Sequence, residues 1–229
     1  MKRKTSAGVM ALGSACLLAA LFTAPAQANA ILTVSDGTNT ETINDNGTGI
    51  LIFNSLADPS WESSSTWLVS FDYGVTQPTQ GSPEYPNLHL TAAGSGIGTL
   101  SISFFDDGLI GTGSTQFVTS VGGSVGAPGG TISVETETTQ GTLASLGPYG
   151  TGGFSGNESD TQTINGSYGI GIIGTITQTN WGTSSFDATV KVPEPATCSL
   201  LGAGLLGMLI AVRRKKQTRE EGYAGLMAA

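Results

Sequence analysis

His89 is the only histidine in the chain, so a hydrolase built on a Ser-His-Asp relay would have to take its general base from that one ring. Serines are plentiful, but none stands in a Gly-x-Ser-x-Gly elbow between a strand and a helix, and Gly94-Ser95-Gly96 reads as a loop. One imidazole also cannot supply a histidine-rich transition-metal site within one chain. His89 therefore reads as a polar residue at a strand edge. Glycoside hydrolysis would need two carboxyl groups flanking a bond. Glu135 and Glu137, two residues apart, would share one face of a strand. That face also carries Thr131 and Ser133, while Ile132 and Val134 point the other way, which makes it a polar outer surface and not a cleft. No catalytic residue is expected.

Oxygen-rich turns come closer to a ligand chemistry. Asp106-Asp107-Gly108 and Asn44-Asp45-Asn46-Gly47 offer the carboxylates and carbonyls of which calcium takes about six to eight. Asp45, Asp106 and Asp107 are the ligands to expect if calcium binds. Neither loop follows the EF-hand pattern, and a plain hairpin turn is the competing reading of each. No other cofactor is expected. Among the aromatic residues, Trp67 belongs in a core by its flanking apolar alternation. Trp61 and Trp181 stand beside polar residues and Gly, and are the candidates for exposed platforms on which a sugar ring could stack. Asn46-Gly47-Thr48, Asn157-Glu158-Ser159 and Asn165-Gly166-Ser167 match the glycosylation sequon but read more simply as turns.

Charge sets the terms on which these groups can act. Between Thr5 and Val190 there is no Lys or Arg, whereas all 17 acidic residues except Glu194, Glu220 and Glu221 fall in that stretch. Nucleic-acid binding requires basic side chains to neutralise phosphates, so it is excluded, as is docking of this region on an anionic membrane surface. Salt bridges within it are excluded too, and each carboxylate must be solvated, hydrogen-bonded or bound to a cation. Cys16 and Cys198 lie near the two ends, so the middle has neither a disulfide nor a thiolate nucleophile.

The elements that must position these residues are strands. Gly accounts for 34 of 229 residues, about twice the roughly 7% of ordinary proteins, and Ser and Thr are abundant. Apolar and polar residues alternate over 31–34, 40–43, 50–53, 67–73, 88–90, 99–104, 116–121, 131–138, 168–179 and 185–192, the period-2 pattern of half-buried strands. No window shows helical spacing over three turns. The segment 99–104 is expected to end at Asp107-Gly108, and the Gly-rich stretches 122–130 and 147–156 are expected to be surface loops. The implied fold is an all-β, antiparallel, jelly-roll-like β-sandwich over residues 31–190. Its core would draw on Val34, Ile43, Leu51, Phe53, Trp67, Val69, Phe71, Leu100, Ile102, Phe104, Phe117, Val134, Ile170, Ile172, Ile176, Phe186 and Val190.

The two ends are of another kind. Residues 1–30 read as a Sec-type signal peptide. Lys2, Arg3 and Lys4 form a positive start, residues 7–22 an apolar stretch, and Ala26-Gln27-Ala28 and Ala28-Asn29-Ala30 two small-x-small cleavage patterns. Cleavage after Ala30 is the preferred expectation. The Sec translocon and signal peptidase are then the first partners. At the other end, residues 196–212 carry no charge and as a helix would span about 25 Å, near the short limit for crossing a bilayer. Arg213, Arg214, Lys215 and Lys216 come next, which by the positive-inside rule leaves residues 217–229 as a cytoplasmic tail and the middle of the chain outside.

Val192-Pro193-Glu194-Pro195-Ala196-Thr197, a Gly/Leu-rich span and the cluster Arg213–Lys216 occur in order, and together they resemble the PEP-CTERM sorting signal over residues 192–216. The chain continues from Gln217 to Ala229, where members of the family stop soon after the basic cluster. The resemblance implies a partner exosortase, an integral membrane protease-transferase of Gram-negative bacteria, which recognises Pro193-Glu194-Pro195 and processes the chain near it. Thr161-Gln162-Thr163-Ile164 and the run from Gly182 to Pro195 are also similar to the ends of many PEP-CTERM ectodomains. The resemblance further implies an inner-membrane-anchored precursor bound for the cell surface or an exopolysaccharide matrix. A polysaccharide-binding module, assisted by calcium if those turns bind it, is the alternative.

Overall fold

A computed structural model of the chain describes residues 29–193 and residue 204, apart from the side chains of residues 70–72. Its contacts divide into two units, Met1–Val192 and Pro193–Ala229. The expected signal peptide as far as residue 28, Glu194, Pro195, the expected span 196–212, the cluster Arg213–Lys216 and the expected tail 217–229 lie outside the described residues, Gly204 excepted. Among the described residues no helix is long and apolar enough to cross a membrane.

Ten strands form in chain order: β1 (Asn29–Ser35), β2 (Thr40–Asn44), β3 (Ile50–Phe53), β4 (Trp67–Val75), β5 (Asn87–Gly96), β6 (Gly98–Val125), β7 (Thr131–Thr138), β8 (Gly141–Tyr149), β9 (Gly152–Gln178) and β10 (Thr183–Lys191). All pairings between them are antiparallel. The alternation legible in the sequence is the alternation of burial. In β5, β7 and β10 every second side chain is buried, because successive residues of a strand face opposite sides of the sheet.

β6 and β9 pair along their whole lengths, from Gly98 against Gln178 to Val125 against Gly152. Such strands far exceed the usual length of about 3–10 residues, and they manage it by bending. The register shifts between Asp106 and Leu109, and Gly108, Gly113 and Gly166 take positive φ near the bend, a conformation open to residues without a Cβ. Asp107-Gly108 is thus a bulge inside one strand and not the strand end expected from the sequence. Before the bend β6 is flanked by β1, which carries β2. After it β6 is flanked by β10, which leads through β5 and β4 to β3. On the other side β9 carries β7 and then β8.

The two halves of this one folded sheet face each other. Gly74 of β4 lies against Phe104 of β6, Gly94 of β5 against Leu100 of β6, and Gly174 of β9 against the ring of Phe186 of β10. Between them runs a continuous apolar core that includes Leu32, Leu88, Leu90, Ile102, Ile132, Ile170, Ile172, Ile176, Ala188 and Val190. The β-sandwich is therefore a single hydrogen-bonded sheet folded over itself, its corner made by strands that pass from one layer to the other. Of the expected core, Ile43 is only partly buried and packs at the rim, and the side chain of Phe71 lies outside the described residues. The expected loop at 147–156 is the end of β8 and the start of β9, and the Gly-rich stretch 122–130 is a strand as far as Val125.

Trp61 is the clearest departure from the sequence reading. It lies in a short helix, α1 (Pro59–Ser64), whose N-cap Asp58 accepts from the N–H groups of Ser60 at 3.0 Å and Trp61 at 3.3 Å. Pro59 at the first turn fits that start, since its missing N–H would have had no partner there. The cap turns the indole inward. Trp61 is 1% exposed, its ring meets Phe53 edge-on at 5.2 Å, and its Nε1 donates to the Trp67 carbonyl at 3.0 Å. It is a core residue and cannot stack on a sugar.

Candidate functional site

β10 lies between β5 and β6 and delivers the chain to the sorting segment. Phe186, Ala188 and Val190 are buried, and Lys191 is still paired with Asn87 and Val118. Val192 packs against the core, and its N–H donates to the carbonyl of Pro86 at 3.0 Å. Pro193 is exposed and has no N–H with which to extend the ladder. The strand therefore fixes the segment as far as Val192 and stops where the Pro-Glu-Pro sequence begins. Glu194, Pro195 and Arg213 to Lys216 lie outside the described residues.

The expected calcium ligands are separated by their surroundings. The Asp45 carboxylate accepts from the N–H groups of Gly47, Thr48 and Gly49 at 3.0, 3.1 and 3.0 Å, so its oxygens are spent on closing its own turn. Asp106 and Asp107 are neighbours on β6 and point to opposite faces. Asp106 is fully buried; it accepts from the Thr76 hydroxyl at 2.6 Å and from the Asn29 N–H at 3.3 Å. Burial pushes its carboxyl above the usual carboxylate range, against the pull of the Thr76, Asn29 and Gln77 hydrogen bonds, and the Asp107 charge adds to the rise. The same neighbourhood acts on Tyr168, whose phenol is pushed up to about 12 by burial and by the Asp106 charge. Asp107 instead accepts from the Asn29 side-chain amide at 2.8 Å. Among the described residues no group of three or more His, Cys, Asp or Glu side chains is placed to hold a metal.

On the outer face of the other half, His89 Nε2 stands 2.7 Å from Asp187 Oδ2. The Thr91 hydroxyl donates to the same Asp187 oxygen at 2.9 Å and lies 3.3 Å from Nε2. The exclusion of ion pairs within the domain thus holds for Lys and Arg alone, since a protonated His89 makes one with Asp187. The cluster is not a catalytic triad, which uses one ring nitrogen for the acid and the other for the nucleophile. Here both neighbours meet Nε2. The strand register continues this face through Tyr73, opposite Thr91, to Ile52, and Ile52 is exposed. Trp181 lies in the connection between β9 and β10 and is 63% exposed. Glu135 and Glu137 share the outer face of β7, and Glu135 accepts from the Thr142 hydroxyl at 2.9 Å.

The described residues form an antiparallel all-β domain whose last strand, β10, ends at Lys191. Residues 191–215 match the model of the PEP-CTERM protein-sorting motif, so the chain carries that motif, directed to the cell surface and processed by exosortase. No curated protein matches the chain. Solved structures similar at low level include the following two. One is TmCBM61 in complex with beta-1,4-galactotriose, with a TM-score of 0.31 and 12% identity, covering 71% of this chain and 88% of that one. The other is the adhesin domain of Epf from Streptococcus pyogenes, with a TM-score of 0.21 and 11% identity, covering 74% of this chain and 57% of that one. Neither likeness bears on what this chain binds.

Proposed function

We propose that this chain is a non-catalytic surface or matrix protein of a Gram-negative bacterium. It is exported by Sec, held in the inner membrane through residues 196–212, and cut by exosortase near Pro193-Glu194-Pro195 to leave the β-sandwich outside the cell. The observation that carries the reading is the junction at Val192. A sorting enzyme needs an extended, accessible segment, and here the ladder ends at a hydrogen bond from Val192 to Pro86, with Pro193 exposed beyond it. A non-catalytic role is supported by the placement of the titratable groups, with one histidine bonded through a single nitrogen and the Asp45 carboxylate tied into its turn. The test is mass spectrometry of the protein from cell envelope and medium, beside a Pro193/Glu194/Pro195→Ala variant. A C-terminus near residues 192–195, lost in the variant, is expected. An intact Arg213–Ala229 tail in both would leave a permanently anchored domain and remove the matrix role.

A second reading, polysaccharide binding, is favoured by one exposed aromatic residue. Trp181 offers a flat apolar ring on the surface, and the His89, Thr91 and Asp187 groups supply hydrogen-bonding atoms of the kind that orient sugars.

A further inference from the structure

The start of β1 bears on how the chain is matured. Asn29 and Ala30 are already strand residues, in register with Asp107 and Asp106 of β6. Ala30 is 1% exposed, and its carbonyl accepts from the Asp45 N–H at 2.9 Å. Cleavage after Ala30 would remove a buried side chain and leave that N–H without its acceptor, which is costly for a backbone group. The other small-x-small pattern, Ala26-Gln27-Ala28, ends one residue before Asn29, so cleavage there leaves β1 whole.

We propose that the leader is removed after Ala28, and that the α-ammonium thereby created on Asn29 is the counter-charge of the buried Asp106 carboxylate. The inference rests on the export reading. Hydrolysis by a leader peptidase adds water across the Ala28–Asn29 bond, the hydroxyl to the Ala28 carbonyl carbon and a proton to the Asn29 nitrogen. The new carboxylic acid releases a proton to solvent, and the new amine takes one up. The Asn29 nitrogen is already placed, 3.3 Å from Asp106 Oδ1. Processing therefore turns a neutral donor into a cation at the same atom.

The need for such a cation is legible in the chain. No Lys or Arg lies between Thr5 and Val190, and before cleavage Asp106 has only neutral donors, from Thr76, Gln77 and the Asn29 amide. The other ionisable groups around it, Asp107 and Tyr168, carry or would carry negative charge, and Asp107 also holds the Asn29 side chain. Every neighbouring charge thus favours the protonated amine. Burial of a carboxylate without a partner is costly, and pairing it relieves that cost. The mature fold is in this way completed by the cut that releases it from the translocation machinery.

The experiment uses the full chain, exported by a Gram-negative host, with its mature N-terminus sequenced and its α-amine labelled by reductive methylation across a pH series. The expected N-terminus is Asn29. The expected α-amine titrates about one unit above its ordinary range of roughly 7.7–8.0, so that labelling at neutral pH is about tenfold slower than for an exposed terminus, and Asp106→Asn restores the ordinary rate. An N-terminus at Ile31, an ordinary profile in the wild type, or a slow rate that persists in Asp106→Asn would each overturn the inference. The wild-type profile decides alone if Asp106→Asn does not accumulate. A retained leader would overturn the export reading as well, whereas a start at Ile31 would leave that reading standing.

Discussion

Gly174 of β9 and Phe186 of β10 touch across the sandwich so closely that a methyl carbon at position 174 would overlap the aromatic ring. The two layers can approach there only because position 174 has no side chain, and Phe186, 1% exposed, fills the space. Gly174→Ala should therefore cost about 1–3 kcal/mol, the usual penalty for overpacking a core. Gly150, with nothing within 4 Å of an added Cβ, is the control, and its alanine variant should stay within about 0.5 kcal/mol of wild type. Urea denaturation of both variants measures the difference.

The contact also marks what the sequence can and cannot disclose. Period-2 alternation locates the strands, because one face of each has to be buried and Phe186, Ala188 and Val190 alternate with Ser185, Asp187 and Thr189. It does not show that β6 continues through Asp107-Gly108, since a turn dipeptide and a bulge use the same residues for the same reason, a positive φ at Gly108. Trp61 misleads because α1 is six residues long and holds one large apolar side chain, too little for a helical period to emerge. The available signal is Asp58-Pro59, an N-cap followed by proline. His89 and Asp187 are 98 residues apart, and nothing local couples them. Asn29 is legible only in part: its cleavage pattern is visible, but its pairing with Asp106 and Asp107 is not.

Trp61→Ala should lower stability by about 3–5 kcal/mol, in the range for removing a buried aromatic ring. The change also deprives the Trp67 carbonyl of its 3.0 Å donor. Trp61→Phe should recover part of the loss by keeping an edge contact with Phe53. Thermal unfolding of the two variants checks the order.

Asp36 gives the protein part of its acid sensitivity. Burial pushes this carboxyl up, but hydrogen bonds from the Asn39 N–H, the Ser65 hydroxyl and the Thr38 N–H outweigh it and hold the group below its ordinary 3.8. A carboxyl whose folded value is depressed contributes stability above its unfolded value and loses it as pH falls through the folded one. The loss should begin near 3.8 and deepen on further acidification. In Asp36→Ala that part of the slope should vanish, with neutral-pH stability reduced because the turn loses its acceptor. Denaturant midpoints at a series of acid pH values measure both effects.

Trypsin should leave the domain whole even in denaturant. No Lys or Arg stands between Thr5 and Val190, so the first site after Lys4 is Lys191, at the end of β10. The expected product of complete digestion is one large fragment ending at Lys191, read by intact mass. Further cuts inside it would contradict the sequence itself.

Trp181 separates the two functional readings. Its ring is 63% exposed, so Trp181→Ala should leave stability within about 0.5 kcal/mol of wild type. If the domain binds polysaccharide through this ring, the variant should lose roughly 5-fold or more in affinity, since an aromatic hot spot is worth over about 1 kcal/mol. Asp187→Ala should weaken the same binding if the His89–Thr91–Asp187 face takes part, and leave it unchanged if Trp181 acts alone. Affinity electrophoresis of the wild type and both variants in gels containing the producing cell's exopolysaccharide makes the comparison. Equal mobility of all three, with and without the polysaccharide, would leave the structural matrix role as the reading that survives.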